Sequence, residues 1–251
     1  MTALRVLGAD ACRAGWVGIV ISDQGLSAHI HAEIAGLVAA ASGSGPLALI
    51  GIDIPIGLAD AGYRQADLLA RRAAGPRWAS VFVTPVRTAL AQADHRQASE
   101  LNRKLTGSGI SRQAFSLRDK ILQVDRWLPA APCPVAEIHP ELSFAEMAGA
   151  PLADSKSTWA GAERRRALLA GRGLVLTGDL GLGGWQAGVD DVLDAAAVAW
   201  SAQRVAGGTA RRLPAQPERF SDRIDCAIWT GYNPLLALAA FHWIALLAQH
   251  H

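Results

Sequence analysis

The chain has 251 residues, 51% of them hydrophobic, with a formal net charge of +2 and a pI of about 8.6. This length and apolar content fit one α/β domain (residues 1–251) with insertions and one substantial core. Cys12, Cys133 and Cys226 are widely spaced and form no CxxC pair, which excludes a disulfide framework and a structural zinc site and predicts a cytoplasmic protein.

Charge is distributed unevenly along the chain. Residues 64–126 contain twelve Lys or Arg and five Asp or Glu, so this segment is basic while the remainder is slightly acidic. A basic segment beside an acidic site suits a polyanion bound through metal ions, because phosphates and carboxylates attract the same cations. The alternative is a solvated helical face rich in arginine.

The first strands carry an aspartate. Residues 4–16 form a short apolar run that includes Asp10 and ends in a small-residue turn, and the apolar run 17–21 follows, which predicts two antiparallel strands. Asp10 is then either a functional carboxylate on a rigid strand or an acceptor for turn amides. Residues 26–32 predict a third strand, and residues 33–42 predict a small helix.

A second aspartate closes a buried strand. Residues 47–58 are apolar at almost every position up to Asp53, which is typical of a strand buried on both faces. Pro55 and Gly57 end the run. Since ligands bind at the carboxyl ends of parallel strands, Asp10 and Asp53 are expected to be neighbours in a binding site.

The basic segment is predicted to be a helical insertion, residues 59–130, between two strands. Its helices are predicted at 63–74, 88–105 and 111–128, with an extended stretch at 81–87 and Ser111 as an N-cap. Arg87 could bind a phosphate through both guanidinium nitrogens, or it could form a surface ion pair.

A further cluster of candidates follows the insertion. Residues 135–144 predict a short strand and a helix with Glu137 as a possible metal ligand, and with His139 and Glu141 as substrate contacts or structural groups. Lys156, in a Ser-Lys-Ser-Thr loop, could contact phosphate. A basic helix is predicted at 157–171 and a short strand at 173–177, while residues 211–233 give no clear pattern.

The last strong helix begins near residue 188 and ends near Gly207. Helix capping explains Asp190 or Asp191 at its start, but Asp194 lies among apolar residues on a helix that is expected to pack on the sheet. A buried carboxylate there needs a partner, and a metal ion is one. Carboxylate clusters bind Mg²⁺ or Mn²⁺, and two such ions support phosphodiester hydrolysis.

Two other features suggest no chemistry. The tryptophans Trp78, Trp159, Trp185 and Trp200 are scattered, which indicates core or interface positions rather than base stacking. Residues 234–248 are apolar but shorter than the roughly 20 residues of a membrane-spanning helix, so we expect a buried or oligomer-interface helix and no membrane partner. The first residues do not resemble a signal peptide.

Six ordered segments resemble the pattern of the family called domain of unknown function 429. They are residues 8–16, 52–58, 85–87, 137–144, 155–158 and 190–195, including Ile-Asp-Ile-Pro-Ile-Gly-Leu and Glu-Ile-His-Pro-Glu-Leu-Ser-Phe. The resemblance covers about residues 4–213. Members are regarded as predicted nucleases of ribonuclease H fold, and the Asp-x-x-Asp-Ala helix is most similar to that of the Holliday-junction resolvases.

The resemblance implies a fold and a metal site. The fold is a ribonuclease H-like mixed sheet of five strands, the first three antiparallel, with helices on both faces. The metal ligands are Asp10, Asp53, Asp191 and Asp194 for Mg²⁺ or Mn²⁺, with Glu137 as a further catalytic residue.

The expected function is metal-dependent cleavage of nucleic acid, either DNA or RNA. One alternative is a catalytically silent scaffold that keeps the fold. Another is a phosphotransferase of the actin or sugar-kinase type, which the chain disfavours because it has neither an internal duplication nor a Gly-rich adenosine motif.

Overall fold

A seven-stranded mixed sheet organises residues 4–231, the part of the chain that the computed structural model describes. The predicted apolar helix at 234–248 lies outside the described residues. The strands follow the spatial order β3-β2-β1-β4-β5-β7-β6. Their bounds are β1 Val6–Cys12, β2 Gly15–Ser22, β3 Gly25–His31, β4 Leu49–Ile52, β5 Val135–Ile138, β6 Ala210–Arg219 and β7 Asp225–Gly231.

The sheet combines two kinds of pairing. Strands β1, β2 and β3 form an antiparallel meander, as the sequence predicts. Strand β4 then lies parallel to β1, β5 parallel to β4, and β7 parallel to β5. The carboxyl ends of β1, β4 and β5 therefore lie at one edge of the sheet, which is where a binding site is expected.

Helices cover both faces of this sheet. One face packs against α7 (Pro140–Ala148), α8 (Trp159–Ala170) and α9 (Val189–Ala206) around a core that includes Val17, Ile19 and Val198. The other face packs against α1 (Ile34–Ser42) and α6 (Arg118–Trp127). The remaining helices of the described chain are α2 (Gln65–Ala73), α3 (Arg87–Leu90), α4 (His95–Thr106) and α5 (Arg112–Ser116), with short 3-10 helices at Gly75–Ser80 and Leu128–Ala130.

Helix α9 packs closely on the central strands because small residues face each other across the contact. A Cβ atom on Gly8 would lie 2.1 Å from the backbone nitrogen of Ala199 and 2.4 Å from the carbonyl oxygen of Ala195. Only glycine fits there. The alanine-rich face of α9 against β1 thus places the first turns of α9 over the carboxyl end of β1.

The sheet is larger than the five strands expected from the sequence. The two extra strands, β6 and β7, form an antiparallel pair in the region whose pattern could not be assigned. Pro214 and Pro217 obscure β6, because proline cannot donate a ladder hydrogen bond and is tolerated only at an edge or irregularity. Strand β6 is indeed the edge strand, and its register shifts between Leu213 and Glu218.

Three other local predictions need correction. The strand predicted at 173–177 is wrong, because this segment has no regular structure although Leu174 is buried. The helix predicted at 88–105 is two helices separated before Asp94, whose side chain accepts from the backbone nitrogen of Gln97 and starts α4. The helix predicted at 111–128 is likewise two, α5 and α6, and Ser111 caps α5 as predicted.

Within residues 4–231, no helix is both long and apolar enough to cross a membrane.

Candidate active site

The register of the two central parallel strands places Asp10 beside Asp53. Ala9 on β1 is paired with Ile52, the last residue of β4, and an aspartate follows each of them in the chain. The backbone nitrogen of Asp53 donates to the carbonyl oxygen of Ala9 at 3.0 Å, which fixes this register. Asp10 is buried, whereas Asp53 is partly exposed.

Helix α9 adds two more carboxylates from above the sheet. Asp194 is buried, with 3% of its surface exposed, and lies in the second turn. Asp191 lies in the first turn, and its Oδ2 accepts from the backbone nitrogen of Gly188 at 2.8 Å. Asp191 therefore caps the helix with one oxygen while it also lines the same cleft as Asp194.

These residues line a cleft of about 470 Å³. It brings together eight of the nine residues that the sequence singled out: Asp10, Asp53, Glu137, His139, Glu141, Lys156, Asp191 and Asp194. The ninth, Arg87, is not part of its lining. Arg87 donates to Asp125 at 2.6 and 3.0 Å and to Asp222 at 2.6 Å, so it forms the ion pair that was the alternative to phosphate binding.

Burial is the main cause of the raised pKa values of all four aspartates. Burial, followed by the charges of Asp53 and Asp194, raises the pKa of Asp10 well above its usual value. Burial likewise raises the pKa of Asp53 and of Asp191, and it raises that of Asp194 to about 7. Four carboxylates that resist ionisation in one cleft favour a bound cation.

Lys156 supplies one such cation. Its Nζ lies 2.5 Å from Oδ2 of Asp194 and 3.8 Å from Oδ2 of Asp190. Burial lowers the pKa of Lys156, but the charges of Asp194, Asp10 and Asp53 more than offset this and raise it. The predicted need of Asp194 for a partner is thus met here by a lysine, which neutralises one charge of the cluster.

The raised pKa of Asp194 predicts how stability depends on pH. Between the ordinary aspartate pKa of 3.8 and about 7, the folded state binds more protons than the unfolded state. Without metal, the free energy of unfolding should therefore fall as pH rises through this window. Calorimetric melting in chelator should show a shallower fall for Asp194→Asn, and equal slopes would contradict the raised pKa.

Glu137 lies in the wall of the cleft but is engaged in a buried ion pair. Its Oε2 accepts from Nη2 of Arg64 at 2.5 Å and from the backbone nitrogen of Ile56 at 2.7 Å. Arg64 is fully buried and also donates to Thr84 and to the thiol of Cys226. Burial raises the pKa of Glu137 to about 7, although Arg64 opposes the shift. These contacts hold the chain just after Asp53.

Glu141 is also held by a fully buried arginine. Both nitrogen–oxygen distances from Nη2 of Arg165 to its carboxylate are 2.9 Å. Nη1 of Arg165 donates to the carbonyl oxygens of Asp154 and Gly161, each at 3.1 Å. Arg165 thus ties the cleft wall to the loop that carries Lys156.

His139 caps helix α7, which defines its tautomer. Its Nδ1 accepts from the backbone nitrogen of Glu141 at 3.2 Å. The neutral ring then carries its proton on Nε2. A neutral His139 in the cleft can donate a hydrogen bond from Nε2 but cannot accept a proton at Nδ1 without losing the cap.

Sequence reasoning missed three arginines of this site. Arg64 and Arg165 belong to Arg-rich stretches that predict exposed helices, yet both are buried beside a glutamate. Arg77 lines the cleft, with Nε 3.7 Å from Oε1 of Glu141. The available signal was the pair Glu137 and Glu141 in a short apolar segment, since each buried carboxylate needs a cationic partner.

The donors of the cleft suit a hard divalent cation, since all four aspartates offer oxygen ligands and their charges repel one another. Within residues 4–231, however, no three His, Cys, Asp or Glu side chains are arranged as a ready metal-binding group. The chemistry of the donor set fits Mg²⁺ or Mn²⁺, and a coordination shell would require side-chain rearrangement, including at Lys156.

Comparison with known proteins gives a family and no further relative. The family model described as "Protein of unknown function (DUF429)" matches residues 8–219. No curated protein and no solved structure matches the chain.

Proposed function

The chain belongs to the DUF429 family, and we propose that it is a metal-dependent phosphodiesterase that cleaves nucleic acid. The family description names no function, so the proposal depends on the cleft. The single observation that carries it is the set of four aspartates, Asp10, Asp53, Asp191 and Asp194, lining one cleft at the carboxyl ends of parallel strands.

The fold supports the same proposal. Three antiparallel strands are followed by parallel strands, helices cover both faces, and carboxylates lie on the first strand, after the fourth and on α9. This combination agrees with a ribonuclease H-like nuclease with an additional strand pair, β6 and β7.

The four aspartates would hold Mg²⁺ or Mn²⁺ in this proposal. Such ions, when bound, lower the pKa of water and stabilise the charge of a leaving oxygen. Glu137 would act as a positioning residue, because its Oε2 is occupied by Arg64 and by the backbone after Asp53.

The remaining residues of the cleft are suited to a phosphate. Arg77 and Lys156 are basic side chains in its lining and would contact phosphate oxygens, and His139 would donate a hydrogen bond from Nε2. The basic insertion around the cleft would attract a polyanion such as DNA or RNA.

One observation favours a second candidate, a binding scaffold without catalysis. Lys156 already neutralises Asp194 at 2.5 Å, as a structural ion pair would. In that case the cleft would need no metal ion. The two candidates differ in whether a divalent cation changes the chemistry of a bound phosphodiester.

The experiment that tests the proposal is a cleavage screen with and without Mn²⁺. Labelled single-stranded DNA, duplex DNA, RNA and a branched junction are incubated with the protein, and products are resolved by electrophoresis. We expect cleavage of at least one substrate that stops in chelator. If all substrates stay intact in Mn²⁺, the scaffold is the better explanation.

A further inference from the structure

A short 3-10 helix, Gly75–Ser80, separates the carboxylate cleft from a second cavity. The second cavity has a volume of about 460 Å³. Ala79, Phe82 and Gln113 line both cavities, so the two are neighbours across this helix. A volume of this size is typical of sites for small organic groups.

Consecutive residues of this helix serve different cavities. Arg77 lines the carboxylate cleft, and Trp78 lines the second cavity. Nη2 of Arg77 donates to the hydroxyl of Ser80 at 3.2 Å, which holds the guanidinium to the helix. The charged side chain of Arg77 and the aromatic side chain of Trp78 therefore line different cavities from adjacent positions of the same helix.

Trp78 is an exposed aromatic ring in contact with an arginine. It is 53% exposed, so it does not lie in the core. The guanidinium carbon of Arg71 lies 4.6 Å from the ring centroid, and Nη1 of Arg71 donates to the carbonyl oxygen of Val81 at 3.1 Å. Arg71 thus contacts the ring and also lines the second cavity, and about half of the Trp78 surface is exposed to a ligand.

The second cavity has both polar and apolar lining residues. The hydroxyls of Tyr63 and Ser108 are hydrogen-bonded to each other at 2.8 Å, and the buried Asn102 amide donates to the carbonyl oxygen of Ser108 at 2.8 Å. Leu68, Val83 and Ile110 are among the apolar lining residues. Gln113 is exposed at the boundary with the cleft. An aromatic platform with hydrogen-bonding groups around it matches a planar heteroaromatic ring better than an aliphatic chain.

We propose that the second cavity binds a nucleobase stacked on Trp78 while Arg77 contacts the phosphate of the same nucleotide in the carboxylate cleft. The proposal rests on the proposed function, since it assigns the substrate class of that site. A base can stack there only when it is unpaired, so the ligand is a single strand, an unpaired position in a duplex, or a free nucleotide.

Equilibrium binding without metal tests this pocket separately from cleavage. The affinity of a fluorescently labelled oligothymidylate of about 12 nucleotides is measured by anisotropy in chelator, a length typical of single-strand sites. The proteins compared are the wild type, Trp78→Ala, Trp78→Phe and Trp159→Ala. Trp159 is the matched control because it is 79% exposed and lines neither cavity.

Trp78→Ala should weaken binding about fivefold to a hundredfold, the usual effect of losing one base–aromatic stack. Trp78→Phe should retain most of the affinity, and Trp159→Ala should bind like the wild type. A duplex of the same length should bind without dependence on Trp78. The proposal is overturned if Trp78→Ala binds like Trp159→Ala, or if the wild type binds neither the single strand nor thymidine monophosphate.

Two further arms separate the remaining outcomes. If thymidine monophosphate competes with the strand, and this competition depends on Trp78, the ligand is a free nucleotide. If strand binding depends on Trp78 but thymidine monophosphate does not compete, the ligand is the strand. Either result supports the base pocket. Binding that depends on Trp78 without any Mn²⁺-dependent cleavage would overturn the nuclease but not the pocket. Mn²⁺-dependent cleavage together with strand binding that is unchanged in Trp78→Ala would overturn the pocket but not the nuclease.

Discussion

Asp10→Asn is expected to reduce Mn²⁺-dependent cleavage by at least about a hundredfold, since even residues that only orient metal ligands commonly contribute ten- to a hundredfold. Asparagine keeps the shape of the side chain but lacks the negative charge that a divalent cation needs. Initial rates on whichever substrate the wild type cleaves measure the effect.

The same substitution should not weaken the fold. Burial and the charges of Asp53 and Asp194 raise the pKa of Asp10, so a neutral amide relieves an unfavourable charge. The unfolding midpoint in chelator should stay equal or rise. Asp23→Asn, in an exposed turn, is the matched control and should change neither property. Cleavage by Asp10→Asn at the wild-type rate would remove Asp10 from the site.

Arg64→Met is expected to destabilise the protein by about 3–5 kcal/mol, the usual cost of leaving a buried charge without its partner. Arg64 is fully buried and lies 2.5 Å from Glu137 and 3.7 Å from Asp67. Methionine fills much of the volume but leaves both carboxylates unpaired. Chemical denaturation at neutral pH measures the free energy of unfolding.

The loss of stability caused by Arg64→Met should be smaller at acidic pH. Burial already raises the pKa of Glu137 to about 7 with Arg64 present, and losing Arg64 raises it further. The folded state of the variant then binds a proton that the unfolded state releases, so its stability falls as pH rises toward neutrality. Arg72→Met, exposed on the same helix, should change stability by less than about 0.5 kcal/mol. Equal stability of the two variants would contradict a structural ion pair.

The sequence predicted the carboxyl ends of β1 and β4 well, because the patterns that indicate these strands are local. An apolar run that closes on Asp53, and a hairpin that carries Asp10, both depend on residues adjacent in the chain. Parallel pairing of β1 and β4 then brings the two aspartates together. The inward position of Asp194 was also predictable, because its helix is apolar around it.

The partners of these carboxylates were not predictable in the same way. Lys156 contacts Asp194 across 38 positions of sequence, and Arg64 contacts Glu137 across 73. A charged residue in a helical pattern reads as exposed unless the packing of a distant segment is known. For the same reason the sequence could not distinguish the ion-paired position of Glu137 from that of a metal ligand.

The sequence did not predict the strand pair β6 and β7, for a different reason. Prolines in β6 are a local signal against a strand, and only the edge position and the register shift make them acceptable. The exposed position of Trp78 was not predictable either, because the cavity that it lines is formed with residues of α2 and of the segment after α4.

Calorimetric titration of Mn²⁺ tests the central claim most directly, namely that the four aspartates form a cation site. The wild type is compared with the double variant Asp10→Asn/Asp194→Asn in the absence of nucleic acid. We predict saturable binding by the wild type that is lost in the double variant. Wild-type protein that binds no Mn²⁺, or a double variant that binds it equally well, would contradict the account and leave Lys156 as the resident cation of a scaffold.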